Sequence, residues 1–466
     1  MANVLATIVA DKEVEIAQRK QDFPVQEFAT QLAPSSKSFY QALKQGPASY
    51  IFECKKASPS KGLIREHFDL DEIIDSYGQY ASCISVLTDE KYFQGKFEYL
   101  EYVSARVTQP VLNKDFFVDE YQIHLARYYK ADAVLLMLSV LDDDRYIALK
   151  NLAQSYKMDV LTEVSNLEET QRALALGANI IGINNRDLRD LSTNLATTEQ
   201  LVPIIKASGF DGVIISESGI YTHQDVLRLS PLVNGFLVGS ALMAQADLRR
   251  AVESLIYGEV KVCGISSAEQ AMLLSQYPVS YLGLINVPDS KRYVTLETMK
   301  NIAQISNKPL VGVFQNHPLD TVVECACETP LYAVQLHGEE SDEYIQQLRE
   351  ALPSNVQIWQ TRAVDTHANE ASTAQSMLAD RLLLDTKVGA QSGGTGKSFN
   401  WQILQSDQWR DKLSQVILAG GITPHNALDA QRTGVQTIDV NSGVEIAPGN
   451  KSADLLTELF TQIRNY

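Results

Sequence analysis

Tyr50-Ile-Phe-Glu53-Cys-Lys55-Lys-Ala-Ser58-Pro-Ser60 starts as a buried strand and ends in a polar turn, and Val260-Lys-Val-Cys263-Gly-Ile265 repeats that form in the second half of the chain. Side chains alternate faces along a strand, so Glu53 and Lys55, two apart, share one face. Outward from each stretch, short apolar runs alternate with longer amphipathic ones. In the first half the runs fall at 50–57, 84–89, 110–114, 133–140, 159–164, 180–185, 212–217 and 235–239. In the second they fall at 260–264, 281–286, 309–315, 333–336, 357–361, 381–385, 415–419 and 437–441. Continuous apolar runs such as Ala133-Val-Leu-Leu-Met-Leu138 suit strands covered on both faces, as in a parallel sheet. Asn166-Leu-Glu-Glu-Thr-Gln-Arg-Ala-Leu-Ala-Leu-Gly177 typifies the intervening stretches, a helix with Gly177 as its stop.

An open doubly wound sheet also alternates strand and helix. Eight units per half, with polar residues gathered near the C-terminal strand ends, favour closure. The expected fold is α/β: two tandem (β/α)8 TIM barrels, residues 1–257 and 258–466, the first with an N-terminal helical extension. Residues 3–20 form that extension, with Val4, Leu5, Ile8, Val9 and Ile16 near helical spacing. A turn-rich connection around Ala33-Pro-Ser-Ser-Lys37 and a second helix lead to the first strand.

The chain has 466 residues, and one such barrel takes ~250. Its 40 Lys and Arg against 57 Asp and Glu leave a net charge of −17. That acidity lacks the basic footprint of nucleic-acid binding, so no nucleic-acid partner is expected. No apolar run reaches the ~18–20 residues of a membrane span, and the first residues lack a basic region, so neither a membrane partner nor a signal peptide is expected. Five cysteines (Cys54, Cys83, Cys263, Cys325 and Cys327) are too few and odd in number for a disulfide framework; reduced thiols point to the cytoplasm. Cys325-Ala-Cys327 lacks a second pair at zinc spacing, so no metal is expected there. The chain is expected to work as a monomer on small phosphorylated substrates.

A barrel of this kind carries its active site at the C-terminal strand ends. In the first half, Glu53 and Lys55 come from strand one, Lys114 from strand three, Glu163 from strand five, Asn184 and Arg186 from strand six, and Ser218 follows strand seven. One buried ion pair at a strand rim is ordinarily structural. Four charged groups from three strands at matching depth instead supply a general acid beside a general base. Ser58 in Ser58-Pro-Ser60, Ser218-Gly219 and Gly239-Ser240 are phosphate candidates, since Gly/Ser turns after strands seven and eight expose backbone N–H groups.

The segments Glu53-Cys-Lys55-Lys-Ala-Ser-Pro-Ser60, Val86-Leu-Thr-Asp89-Glu, Leu112-Asn-Lys114-Asp-Phe, Thr162-Glu163-Val, Gly182-Ile-Asn184-Asn-Arg186 and Glu217-Ser-Gly-Ile220 closely resemble indole-3-glycerol phosphate synthase over residues 1–257. The resemblance implies conversion of 1-(2-carboxyphenylamino)-1-deoxyribulose 5-phosphate to indole-3-glycerol phosphate, with release of CO2 and water. It implies Lys114 as general acid on the ketone and Glu163 as stabiliser or proton relay at the ring nitrogen. Lys55 and Glu53 would serve the dehydration and hold the substrate carboxylate, and Asn184, Arg186 and Ser218 would orient substrate. The division of protons between the two lysines stays open.

In the second half, Cys263 ends strand one, and Asp385 closes Arg381-Leu-Leu-Leu-Asp385, where an acid after three leucines needs a reason. A lone Cys flanked by apolar residues is usually core. Arg292, Gln335 and His337 lie after strands two and four. Gln391-Ser-Gly-Gly-Thr-Gly-Lys-Ser398 fails the P-loop spacing and reads as a lid over the mouth. Gly420-Gly421 and Ser442-Gly443 repeat the phosphate turns.

Lys261-Val-Cys-Gly-Ile265, Ser290-Lys-Arg292-Tyr, Gln335-Leu-His-Gly338, Leu384-Asp-Thr386, Gly393-Gly-Thr-Gly396, Ala419-Gly-Gly-Ile422 and Asp439-Val-Asn-Ser-Gly-Val-Glu445 resemble phosphoribosylanthranilate isomerase over residues 258–466. Ser266 stands where many members have Thr, which keeps the hydroxyl. The resemblance implies an Amadori rearrangement of N-(5-phosphoribosyl)anthranilate. Asp385 would protonate the furanose oxygen, Cys263 would remove the C2 proton as a thiolate of lowered pKa, Arg292 would meet the anthranilate carboxylate, and His337 would line the pocket. No cofactor is implied, because the sugar's own carbonyl is the electron sink. One alternative keeps one barrel catalytic and makes the other a structural or binding module. Another, a histidine-pathway barrel, would place an aspartate where Cys263 ends strand one.

Overall fold

The structure is a computed structural model and describes residues 4–187, 189–366, 378–388, 391–392 and 398–466. Two compact units divide the chain, Met1–Val252 and Glu253–Tyr466.

The first unit holds β1 Ser49–Cys54, β2 Cys83–Leu87, β3 Val111–Lys114, β4 Ala133–Met137, β5 Asp159–Val164, β6 Ile180–Asn184, β7 Val213–Glu217 and β8 Gly235–Val238. They pair in sequence order, all parallel, and β8 returns to β1 to close the barrel. Strand alternation sends Ile51, Leu112, Leu135, Leu161, Ile215 and Leu237 to a common interior cluster. One step further along the same inward faces lie Glu53, Lys114, Glu163 and Glu217. The packed barrel therefore turns polar at its C-terminal rim. The helix expected between Asn166 and Gly177 spans Leu167–Ala175; the Asn166 side chain caps Glu169 N–H, and Gly177 takes the left-handed φ of 65° that ends it.

The N-terminal extension is a helix, α1, over Val4–Asp22. It buries Leu5, Ile8, Lys12 and Ile16, spaced three or four apart along one face. Leu5 and Ile8 join the interior cluster of the barrel. Lys12 is 1% exposed on that same face.

The second unit holds β9 Glu259–Cys263, β10 Tyr281–Ile285, β11 Leu310–Phe314, β12 Leu331–Leu336, β13 Gln357–Asp365, β14 Arg381–Val388, β15 Val416–Leu418 and β16 Thr437–Val440. These are parallel throughout, and β16 pairs back onto β9, so this barrel is closed as well. Its interior packs Tyr281, Val311, Ala333, Trp359, Leu383 and Ile417. The N-terminal strand end is plugged by Arg381, which lies 5.7 and 5.5 Å from the Tyr281 and Trp359 ring centres and pairs with Glu259 at 2.8 Å.

Two features depart from the sequence reading. β13 and β14 outrun their expected ends and stay paired from Thr361 with Leu383 up to Asp365 with Lys387, so Asp385 sits inside a strand rather than closing one. Continued pairing satisfies the backbone N–H and C=O groups of both strands, and no turn residue interrupts either strand there. Between β14 and β15, the described residues form short 3-10 turns (Trp401–Gln405, Asp407–Trp409, Leu413–Gln415) in place of a longer helix. Among the described residues, no helix is long and apolar enough to cross a membrane. All five cysteines are free; Cys325 is buried and Cys327 exposed on one helix, Leu319–Glu328.

Candidate active sites

In the first barrel one cavity gathers Glu53, Lys55, Ser58, Lys114, Glu163, Asn184, Arg186, Ser218, Gly219, Gly239 and Ser240. Every candidate from this half thus faces one space. Lys114 Nζ stands between two carboxylates, 2.6 Å from Glu217 Oε2 and 3.2 Å from Glu163 Oε2. Asn184 Nδ2 donates to Glu163 Oε1 at 3.0 Å, and Arg186 N–H donates to Asn184 Oδ1 at 3.0 Å. Lys55 Nζ pairs with Glu53 Oε2 at 3.2 Å and lies 5.4 Å from the Phe93 ring centre.

Burial alone would discharge Lys114, but Glu217, Glu163 and Glu53 outweigh it and hold the ammonium well above its ordinary range. Glu217 is raised as well: burial pushes its carboxyl up to about 7, Lys114 opposes this, and Glu163 adds to it. One of its oxygens, Oε1, is buried without a partner. That oxygen sits over the Cα of Gly182, where any β-carbon would overlap it. Sequence reasoning named the Glu217-Ser-Gly motif but gave Glu217 no role. The available signal was its inward parity with Ile215 and Val213.

Helix α1 walls this cavity with Val4, Leu5 and Ile8. Its anchor is Lys12, whose Nζ lies 2.8 Å from Asp89 and 3.0 Å from Asp115, both carboxylates nearly fully buried. Asp115 follows Lys114 directly and accepts a 2.5 Å hydrogen bond from Thr88. On the opposite side, Ser218 and Gly219 are successive left-handed residues with φ of 65° and 80°. The Asn185 amide pins that turn by donating to the Glu217 and Ser218 carbonyls, both at 3.0 Å.

In the second barrel a cavity gathers Cys263, Arg292, His337, Asp385, Gly420, Gly421 and Ser442, together with Gln335 and Asp439. Gly443 does not line it; its Cα packs against Ile422 O and Thr423, leaving no room for a side chain. The lid expected at 391–398 lies largely outside the described residues, as does Gly393–Gly396.

Asp385 and Cys263 sit in this cavity almost fully buried. Burial pushes the Asp385 carboxyl up to about 6, against the Thr386 N–H that donates to it at 2.7 Å. His337 Nε2 is 3.7 Å from Asp385, and burial keeps this imidazole below its ordinary range, therefore neutral. Cys263 runs against the sequence expectation of a lowered pKa. Desolvation dominates and raises it, while Lys261 and Lys451 pull partly back. Arg292 is engaged from one edge, with Nη2 2.6 Å and Nε 3.0 Å from Glu445. Lys451 Nζ holds the same carboxylate at 2.7 Å. Gly264, with φ 78°, passes so close that a β-carbon would lie 2.5 Å from Arg292 Cδ. Ser266 keeps a use for its hydroxyl, donating to Gly449 O at 2.6 Å. Lys261, Asp439, Glu445 and Lys451 were quoted in motifs or passed over, and none had been given a role.

Closed parallel barrels with ionisable groups on the C-terminal rim and glycine-rich turns after the last two strands define a class, (β/α)8 enzymes of phosphorylated small molecules, here two in one chain. Residues 5–255 match the family described as indole-3-glycerol phosphate synthase, and residues 260–462 the family described as N-(5'phosphoribosyl)anthranilate isomerase. Among solved structures, phosphoribosyl anthranilate isomerase from Thermus thermophilus aligns with 44% of this chain and 98% of its own, at 30% identity and a TM-score of 0.39. The tryptophan biosynthesis protein TrpCF of Vibrio cholerae is 52% identical, covering 100% of this chain and 97% of that protein. The protein of the same name from Salmonella typhi is 49% identical and covers 100% of both. With relatives matched along its full length, the chain belongs to the bifunctional indole-3-glycerol phosphate synthase and phosphoribosylanthranilate isomerase family of tryptophan biosynthesis. Its first barrel is the synthase, a lyase, and its second the isomerase.

Proposed function

We propose that the second barrel opens N-(5-phosphoribosyl)anthranilate by proton transfer from Asp385 to the furanose oxygen. Cys263, as thiolate, then takes the C2 proton of the resulting iminium. Enol and ketone follow, giving 1-(2-carboxyphenylamino)-1-deoxyribulose 5-phosphate. The raised Asp385 carboxyl supports the acid role, since near 6 it holds a proton much closer to neutral pH than an ordinary aspartate does. Arg292 meets the anthranilate carboxylate with the edge of its guanidinium that Glu445 leaves free, and His337 contributes a neutral wall. Gly420, Gly421 and Ser442 receive the phosphate.

In the first barrel Lys114 protonates the substrate ketone as the aromatic carbon attacks, while Glu163 steadies charge at the ring nitrogen. Loss of CO2 and then of water completes indole-3-glycerol phosphate, with Lys55 and Glu53 serving the dehydration. Asn184 and Arg186 orient substrate, and Ser58, Ser218, Gly219, Gly239 and Ser240 hold its phosphate. The observation that carries this reading is Lys114 held as a cation between Glu163 and Glu217, a proton donor flanked by two bases.

The working units are residues 1–257 and 258–466. The cytoplasm is the proposed location, supported by five free thiols. Each site is built from one chain, so a monomer suffices, and specific activity should not vary with protein concentration. The direct test is Lys114→Ala with both activities assayed. Loss of synthase with isomerase intact supports the acid assignment; retained synthase activity would sink it. Cys263→Ala should show the reverse pattern.

A further inference from the structure

We propose that Lys261 is a positioning residue for Cys263, a buried ammonium placed beneath the sulfur to set how readily the thiol yields its proton. This rests on the reading of Cys263 as the isomerase base. Lys261 and Cys263 are two apart on β9 and share its inward face. Lys261 is 0% exposed and pairs with Asp439 Oδ2 at 2.6 Å, and the two residues are register partners across β9 and β16. Asp439, which holds the Lys261 ammonium, lines the same cavity as Cys263, and the ammonium favours the thiolate of that sulfur. The first barrel fills the equivalent layer, two residues before Glu53, with Ile51. Packing therefore does not require a cation at this depth, and a buried ion pair is weak support for stability.

The sulfur is held in place from the other side. A β-carbon on Gly283 would lie 2.6 Å from Cys263 Sγ, so the thiol rests on bare backbone of β10. Charged and titratable groups face it from every neighbouring element. Asp439 on β16 disfavours the thiolate, and Lys451 favours it. Arg292, after β10, couples to the same sulfur, but it and Lys451 share one carboxylate, Glu445. Asp385 on β14 and the neutral His337 after β12 complete the ring. Lys261 is the strongest favourable charge among them, ahead of Asp439 in its effect on the sulfur. Asp439 Oδ1 is buried with no partner, so the pair is incompletely compensated. The arrangement sets Lys261 as the lever on the thiol and Asp439 as its brake.

The test uses the full-length protein and iodoacetamide, with alkylation of Cys263 followed by peptide mass across pH. Lys261→Met should raise the titration midpoint by about one pH unit or more, slowing alkylation at pH 8 by about tenfold. Lys261→Arg should restore most of the rate. Asp439→Asn, which frees Lys261, should move the midpoint down. Because Lys261→Met strands a buried carboxylate and can fail to fold, Lys261→Met/Asp439→Asn serves as the charge-balanced variant and should still titrate above wild type. A balanced variant titrating with wild type overturns the proposal. If the thiol shifts as stated while isomerase activity does not change, Lys261 tunes Cys263 but Cys263 is not the base, which separates the two failures.

Discussion

In the first barrel Lys114 lies 2.6 and 3.2 Å from two carboxylates, whereas in the second Asp385 lies 3.7 Å from an imidazole that burial keeps neutral. The synthase mouth keeps Lys114 charged by crowding it with carboxyl groups. The isomerase mouth raises the Asp385 carboxyl and the Cys263 thiol by taking them out of water. Both sit on the same rim of the same fold. The difference teaches that a barrel rim dictates where groups stand, while the neighbours within a few ångströms dictate their protonation.

The largest effects should come from removing Lys114 or Asp385, the acids of the proposed mechanisms, one at a time. Lys114→Ala should lower synthase turnover by about 10²–10⁴, and Asp385→Asn should do the same to the isomerase, each leaving the other activity unchanged. Paired steady-state assays on one preparation decide this; a drop in both activities would break the picture of two independent mouths. Lys12→Met strands Asp89 and Asp115 in the interior, so the first unit should lose roughly 3–5 kcal/mol in denaturant unfolding, with synthase KM rising as α1 loosens from the cavity. The second barrel's transition should stay in place.

Gly182→Ala should cut synthase turnover by about 10²-fold while expression and isomerase activity hold, because the new methyl displaces Glu217 from Lys114. Asp385→Asn should also show the cost of ionising a buried carboxyl as stability. The folded carboxyl titrates near 6 and an unfolded one near ~3.9, so the native state binds more protons between those values and loses stability as pH rises through them. At pH 8 the Asn variant should unfold roughly 2–3 kcal/mol harder than wild type, and the gap should close below about pH 4. An equal gap at both pH values would mean that burial is not what raises the carboxyl. The smallest effect belongs to an exposed tie on α1: Lys20→Ala breaks the 2.7 Å pair with Asp119 and should cost less than about 1 kcal/mol, in contrast with Lys12 on the same helix.

Much of the site could be read from the chain before folding. Glu53, Lys114, Glu163 and Asn184 stand at the ends of apolar runs, and strand parity aims them inward, so they meet in one cavity as expected. Ser218-Gly219 and Gly420-Gly421 were legible because glycine beside a strand end announces a turn. Lys12 was not, since a lysine in an amphipathic helix reads as a solvated charge until a partner appears across the fold. Glu217 and Lys261 escaped for the same reason, with partners 103 and 178 residues away. The overrun of β13 and β14 was missed because nothing in the local composition says how long a neighbouring strand stays alongside.

The sequence by itself determined the doubled barrel and the residue types on each rim, because strand periodicity and turn chemistry are local properties. Only the tertiary structure decided which charges meet and which are stripped of water. Glu217 reaches Lys114, Asp439 reaches Lys261, and Cys263 is desolvated instead of activated at rest. Pairing and desolvation depend on distances across a closed barrel, and these exist only once β8 has returned to β1 and β16 to β9.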